Sequence, residues 1–263
     1  MPFARPRTTL LALSVVLSLL GPRAARALEP GEMNPAPFDN LLKKYVAEGK
    51  VDYSRWKTGG TAELDAYLDS LGAFDLSNVM GKEPKAALLM NAYHAWGIRQ
   101  ILEHYPVKSV NDIPGFFDKN KRKIAGQERT LNDIETALIE LIPYEPEFAL
   151  ALSNGAAGGP RMVEEAMSSD NFMKRMNQGM KEAAAQQRVR YDPKTNEMHL
   201  PPQIVKYLPQ YEALPTGFVG KFGANLSLAD VMVWSTKNPK IVEDPVDWSL
   251  NGLPPPTKSL KAP

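Results

Sequence analysis

Pro84-Lys85-Ala86-Ala87-Leu88-Leu89-Met90-Asn91-Ala92-Tyr93-His94-Ala95-Trp96-Gly97-Ile98-Arg99-Gln100-Ile101-Leu102-Glu103-His104 is the stretch on which the fold turns. It is the most apolar helical segment of the chain. Pro84 suits a first helical position, and Pro106 lies just beyond its end. A helix of this length and apolarity predicts the central element of a packed interior, with the other elements arranged around it.

On the N-terminal side, Phe38, Leu41, Leu42, Tyr45 and Val46 fall at helical spacing and predict an amphipathic helix over 38–48 with Gly49 as its stop. Val51-Asp52-Tyr53 reads as a short extended piece, and Leu64, Tyr67, Leu68 and Leu71 predict a helix over 62–71 capped by Thr61. On the C-terminal side, Lys121 to Ala125 reads as extended. Thr130 and Asp133 form a capping-box pattern that opens a helix from Leu131 to about Leu141. Phe148 to Leu152 is continuously apolar, as in a buried strand, and leads into the small-residue loop Asn154-Gly155-Ala156-Ala157-Gly158-Gly159-Pro160. Asp170 is placed to cap a helix reaching about Gln187. Residues 188–192 and 197–200 flank a turn and predict a hairpin, and helical stretches follow near 203–211 and 227–235. Helices outnumber strands, and no βαβ alternation is present. The expected fold is therefore α+β, a mainly helical single domain with a small antiparallel sheet.

Arg5 and Arg7 precede an uncharged apolar run from Leu10 to Leu20, and Ala25-Arg26-Ala27 supplies a small-x-small site, so residues 1–27 read as a secretory signal. The run is shorter than the ~20 residues a spanning helix needs. The mature chain is expected in the periplasm or outside the cell, with a globular domain over 28–251 and a Pro-rich disordered tail over 252–263. Removing the four arginines of residues 1–27 turns 31 basic and 30 acidic residues into 27 and 30, about −3 overall. Such a balance, without basic runs, argues against a nucleic-acid partner. With no cysteine in 263 residues, thiolate nucleophiles, disulfides and cysteine metal sites are excluded.

Several pieces of the chain, in order and spacing, resemble the family catalogued as domain of unknown function 547. They are Val51-Asp52-Tyr53, Asn91-Ala92-Tyr93-His94-Ala95, His104-Tyr105-Pro106, Ala125-Gly126, Leu131-Asn132-Asp133-Ile134-Glu135, the small-residue loop with Pro160, and Asp247-Trp248-Ser249-Leu250-Asn251. The resemblance runs over about 38–251. Where the family typically places a histidine after Ile-Glu, this chain has Thr136. Where it carries two cysteines in the loop, this chain has Asn154 and Gly159. The resemblance implies a scaffold more clearly than an activity, and it marks this chain as a divergent member without the family's sulfur or that imidazole.

Asn91 and His94, at i and i+3, share one face of the central helix, where an amide and an imidazole can orient a ligand or shuttle a proton. Alternatively, both satisfy backbone groups in a packed interior. Glu135 is placed to accept from His94 or serve as general base, or else simply to occupy the solvated first turn of its helix. Tyr93, Asn154, Gly155, Gly158 and Gly159 are the candidate ligand-binding residues. The loop can cradle an anion with backbone N–H groups, but it lacks the Walker Lys-Ser/Thr, and the main reading is a tight connection that needs small residues. Trp248 reads as an anchor for the chain end rather than a sugar platform. His94, His104 and His199 have no metal-ligand spacing, so neither metal nor cofactor is expected. Ser54-Arg55-Trp56-Lys57, Ser169-Asp170-Asn171 and Lys57-Thr58-Gly59 mimic penicillin-binding signatures, but in the wrong order and with a shared lysine.

These readings lead first to an exported binding or interaction protein on a degenerate enzyme-like scaffold, whose partner is a small molecule or an envelope protein. A cofactor-free hydrolase or transferase using His94 as general base, with Glu135 or Asn91 orienting it, is the competing reading. A structural component of an envelope assembly is the third.

Overall fold

A computed structural model describes residues 32–215, 217–223, 232 and 236–253. The expected signal segment, the expected helix over 227–235 apart from Met232, and the tail beyond Leu253 lie outside these residues. The architecture is α+β and mainly helical, with small sheets of two or three strands among the described residues.

Helix α1 (Ala36–Tyr45) buries Phe38, Leu41, Leu42 and Tyr45, the apolar positions of its pattern. It stops three residues before the predicted end because Val46 turns extended. Strands β1 (Val46–Ala47) and β2 (Lys50–Val51) then form a two-residue hairpin, in which Glu48 and Gly49 both take positive φ. Gly49 therefore serves the hairpin rather than the helix end. The Asp52 side chain accepts the Arg55 amide at 3.0 Å and opens α2 (Tyr53–Gly59), a short helix where the sequence suggested extended chain at Tyr53. Helix α3 (Thr61–Ala73) follows, with Leu64, Tyr67, Leu68 and Leu71 inward as predicted; its first residue is Thr61, and no side chain caps it.

Helix α4 (Lys82–His104) is the central element. Nearly all of its side chains from Ala86 to Leu102 are buried, and α2, α3 and α5 (Leu131–Leu141) pack on it. The hairpin of β3 (Arg122–Ile124) and β4 (Gln127–Arg129) leads into α5. The capping box of α5 forms as its sequence predicts: Asp133 N–H donates to Thr130 Oγ1 at 3.1 Å, and Thr130 N–H to Asp133 Oδ2 at 2.9 Å. The buried apolar run near 148–152 is a 3₁₀ turn over Pro146–Leu150, not a strand, because a continuous apolar stretch states burial without stating period.

Helix α6 (Phe172–Ala185) packs on that turn. Asp170 does not cap it; Asn171 precedes the helix, and its amide is occupied by Ser168 N–H at 2.9 Å and the Ala166 carbonyl at 2.8 Å. The predicted hairpin is β5 (Arg190–Asp192) and β6 (Glu197–Leu200), antiparallel in register Arg190↔His199. Short helices α7 (Pro202–Lys206), α8 (Leu208–Glu212) and α9 (Gly217–Phe222) follow. A third strand, β7 (Lys240–Glu243), then returns to pair parallel with β6. No described helix is long and apolar enough to cross a membrane.

The chain end runs extended between three segments. Leu250 N–H donates to the Lys108 carbonyl at 2.8 Å, Asn251 N–H to Gly155 at 2.9 Å, and Leu253 N–H to Val51 at 2.8 Å. Gly252 and Leu253, expected to open a disordered tail, are thus part of the packed structure.

Candidate functional site

Two places collect the residues singled out from the sequence, and they differ in access. The first surrounds His94, which is 0% exposed. Its Nε2 accepts the Ser153 amide at 3.1 Å, so the proton of the neutral ring sits on Nδ1. Burial pushes the imidazole pKa down to about 4, with the Ala151 carbonyl opposing, so the ring is neutral at pH 7. Asn91, also buried, clamps the backbone of Met167: its Nδ2 donates to the carbonyl and its Oδ1 accepts the amide, both at 2.8 Å. Helix α4 therefore uses Asn91 and His94 to hold two loops, and its buried Gln100 holds a third segment by donating to the Phe116 carbonyl at 3.2 Å. The void beside His94 is about 10 Å³, room for one water at most.

The Ser153 backbone held by His94 is tied on through its own side chain. Ser153 Oγ accepts from Asn251 Nδ2 at 3.2 Å, and Asn251 Oδ1 accepts the Tyr53 hydroxyl at 2.7 Å. This series of bonds joins α2, the segment around Asn251, the loop and α4 in one buried network.

The small-residue loop is filled by protein. The N–H groups of Ala156, Ala157, Gly158 and Gly159 donate to Asn154 Oδ1 and to the carbonyls of Ser249, Asp247 and Ala156, so none of the four is left to cradle an anion. A Cβ at Gly155 would lie 2.8 Å from Val110 Cγ1, one at Gly158 2.6 Å from the Asp247 nitrogen, and one at Gly159 2.3 Å from Asn154 Oδ1. These three glycines are required by close approach, as the tight-connection reading anticipated. Positions 154 and 159 touch each other.

The second place is open. A cleft of about 200 Å³ is walled by Tyr93 of α4, Glu135 of α5, Asn154 of the loop, Lys206 of α7, Phe117 and Trp248. Leu131, Ile134 and Leu138 bury one face of α5, and Glu135 stands at the edge of that face, its side chain 14% exposed. Its Oε1 accepts the Tyr207 hydroxyl at 2.8 Å, and its Oε2 lies 2.9 Å from Lys206 Nζ. Burial, followed by the Glu135 charge, raises the pKa of both Tyr93 and Tyr207 above the ordinary phenol value, so both phenols are neutral. Trp248 is 37% exposed and meets Phe117 edge to face, with 6.2 Å between centroids. Its neighbours anchor the chain end, but its own indole faces the cleft.

Of the candidate residues, the structure thus brings Tyr93, Glu135 and Asn154 together at the cleft. Asn91 and His94 are directed into backbone contacts, and Gly155, Gly158 and Gly159 into packing. Thr136 is exposed on α5 and does not line the cleft. Phe117, Gln203, Lys206 and Tyr207 were not singled out from the sequence, and no local pattern marks them. The only hint was that Glu135, with no basic residue nearby on its own helix, needed a partner from elsewhere. Among the described residues, no group of three or more His, Asp or Glu is arranged to hold a metal ion.

No curated protein and no solved structure matches the chain. Residues 77–182 match the model of the family described as "Protein of unknown function, DUF547". That span holds α4, α5, the loop and α6, whereas Val51–Tyr53 and Asp247–Asn251 lie outside it and are joined to it by the hydrogen bonds above. The likeness of this chain to the DUF547 family thus rests on residues 77–182.

Proposed function

We propose that this is an exported binding protein that holds a small molecule in the cleft between α4, α5, α7 and the Trp248 segment. The observation that carries the reading is the convergence on one opening of aromatic, amide and charged groups from six separate segments, the usual make-up of a small-ligand site. The sealed environment of His94 speaks in the same direction: a ring with one nitrogen occupied by a backbone amide and no solvent path has no route to a substrate proton. Export is supported by Arg5, Arg7, the apolar run to Leu20 and Ala25-Arg26-Ala27.

Native mass spectrometry of protein recovered from the envelope fraction tests both parts. The expected chain begins at Leu28 and carries an added small-molecule mass that disappears in Asn154→Leu, a variant that blocks the cleft. A chain that retains residues 1–27 sinks the export reading. An added mass indifferent to Asn154→Leu, or no added mass at all, sinks the cleft reading.

A further inference from the structure

Resting on that cleft as a binding site, we infer that its occupant is an uncharged carbohydrate, one ring of which stacks on the Trp248 indole. Three features of the cleft point to this class.

The first is charge. Among the described residues that line the cleft there is one cation, Lys206, and one anion, Glu135, and they neutralise each other at 2.9 Å. A phosphate or carboxylate ligand would meet no unpaired cation in that lining, Arg188 behind it being held on Gln203 Oε1, and a cationic ligand would have to displace Lys206 from Glu135. The loop amides that might have replaced a side-chain cation already donate to Asn154 and to backbone carbonyls.

The second is the polar complement. Asn132, Asn154 and Gln203 project amides at the cleft, and two of them are half used. Asn154 Oδ1 is taken by the Ala156 amide and Gln203 Oε1 by Arg188 Nη2 at 3.0 Å, which directs the NH₂ ends toward a ligand. Fixed NH₂ donors beside a carboxylate suit hydroxyl groups, each of which donates and accepts. A purely apolar occupant would leave these groups unpaired, at a cost comparable to a lost hydrogen bond for each.

The third is shape. Trp248 and Phe117 meet edge to face and Tyr93 lines the wall, so flat aromatic surface lies beside the amides. The C–H face of a sugar ring needs that juxtaposition of an apolar plane and lateral hydrogen bonds. At about 200 Å³ the cleft is below the ~300–1,000 Å³ of sites that enclose drug-sized ligands, so one small ring fits it.

The test is titration calorimetry of the purified protein with neutral mono- and disaccharides of glucose, galactose, mannose and N-acetylglucosamine. Uronic acids and free amino acids form the comparison set. The expected result is saturable binding of at least one neutral sugar, unchanged between low and high salt because no net charge is involved. It is weakened about tenfold or more in Trp248→Ala and retained in part in Trp248→Phe. Gln203→Leu, away from the chain end, is expected to weaken the same sugar, and equal melting temperatures of the variants separate lost contact from lost fold.

Binding confined to the charged compounds, salt-dependent and abolished by Trp248→Ala, overturns the carbohydrate inference and leaves the cleft reading standing. Neutral-sugar binding that neither Trp248→Ala nor Gln203→Leu reduces overturns the inference by placing the sugar elsewhere. Absence of binding to every neutral sugar overturns it as well, while the mass-spectrometric result with Asn154→Leu continues to decide the cleft reading on its own.

Discussion

Tyr93 and His94 are consecutive residues of one helix, yet they face two environments. His94 looks into a sealed interior, where its ring is neutral and bonded to a backbone amide. Tyr93 borders an opening shared with an ionised carboxylate, an ammonium group and an exposed indole. The helical rotation of about 100° per residue is enough to separate a strut from a binding wall. The comparison teaches that the most chemically suggestive side chain in the sequence is a structural one, and that the polar residue with access, Glu135, gets its partners from distant chain.

The sharpest way to break this contrast is to remove the strut. His94→Gln is expected to destabilise the fold by about 2–4 kcal/mol at pH 7 in urea unfolding, because the Ser153 amide loses a well-placed acceptor in a dry site. The loss should depend on pH in a defined direction. The folded-state pKa of His94, about 4, is depressed below its ordinary 6.5, so its contribution is complete above pH 6.5 and falls away as pH drops toward 4. The stability gap between wild type and His94→Gln should therefore narrow by on the order of 3 kcal/mol between pH 7 and pH 4. A constant gap would mean that the ring is already charged in the native state and would dissolve the distinction between the two regions. Glu147 runs the other way: burial raises its carboxyl to about 7 despite Lys221, so its contribution is present below pH 4.5 and lost as pH rises through 7. That trend is common to wild type and His94→Gln, so it cancels in the gap between them.

A smaller effect, about 1–3 kcal/mol, is expected for Gly158→Ala, since the new methyl meets the Asp247 nitrogen of the chain end at 2.6 Å. Thermal melting should show the loss, and amide exchange should show residues 247–251 loosening first. Ala157→Gly, one position earlier and exposed, should cost no more than about 1 kcal/mol.

The smallest stability change, below about 1 kcal/mol, is expected for Glu135→Gln, because Lys206 is 53% exposed and screened by water. Its signature lies in the cleft. With the carboxylate charge removed, the Tyr207 phenol should ionise at lower pH, which ultraviolet absorbance titration can follow. An unmoved phenol would separate Tyr207 from Glu135 and leave the cleft wall without its charged pair.

Legibility in the sequence followed the range of the interactions involved. The α5 start was readable because Thr130 and Asp133 are three residues apart and satisfy each other without outside help. The inward faces of α1 and α3 were readable from periodicity, and the burial of α4 from its apolarity. The turn over Pro146–Leu150 was misread as a strand because an unbroken apolar run has no period, and α2 was missed because its Asp52 cap precedes only seven helical residues. Strand β7 was invisible: its partner β6 lies some forty residues earlier, and parallel pairing leaves no local turn signal. In the cleft, Tyr93, Glu135 and Asn154 were found one by one, whereas Gln203 and Lys206 sit on a short helix without a motif and Tyr207 just follows it.

By itself, the sequence determined that α1, α3, α4, α5 and α6 are helices, that no thiol chemistry is available, and that the 154–160 loop needs small residues. These follow from nearest-neighbour periodicity, composition and steric size. Tertiary structure alone decided that His94 is sealed while Glu135 is not, that Asn154 and Gly159 touch, and that Trp248 helps wall a cleft with residues more than a hundred positions away. Burial and hydrogen-bond partnership belong to the packed molecule, because desolvation depends on everything that surrounds a group and not on its neighbours along the chain.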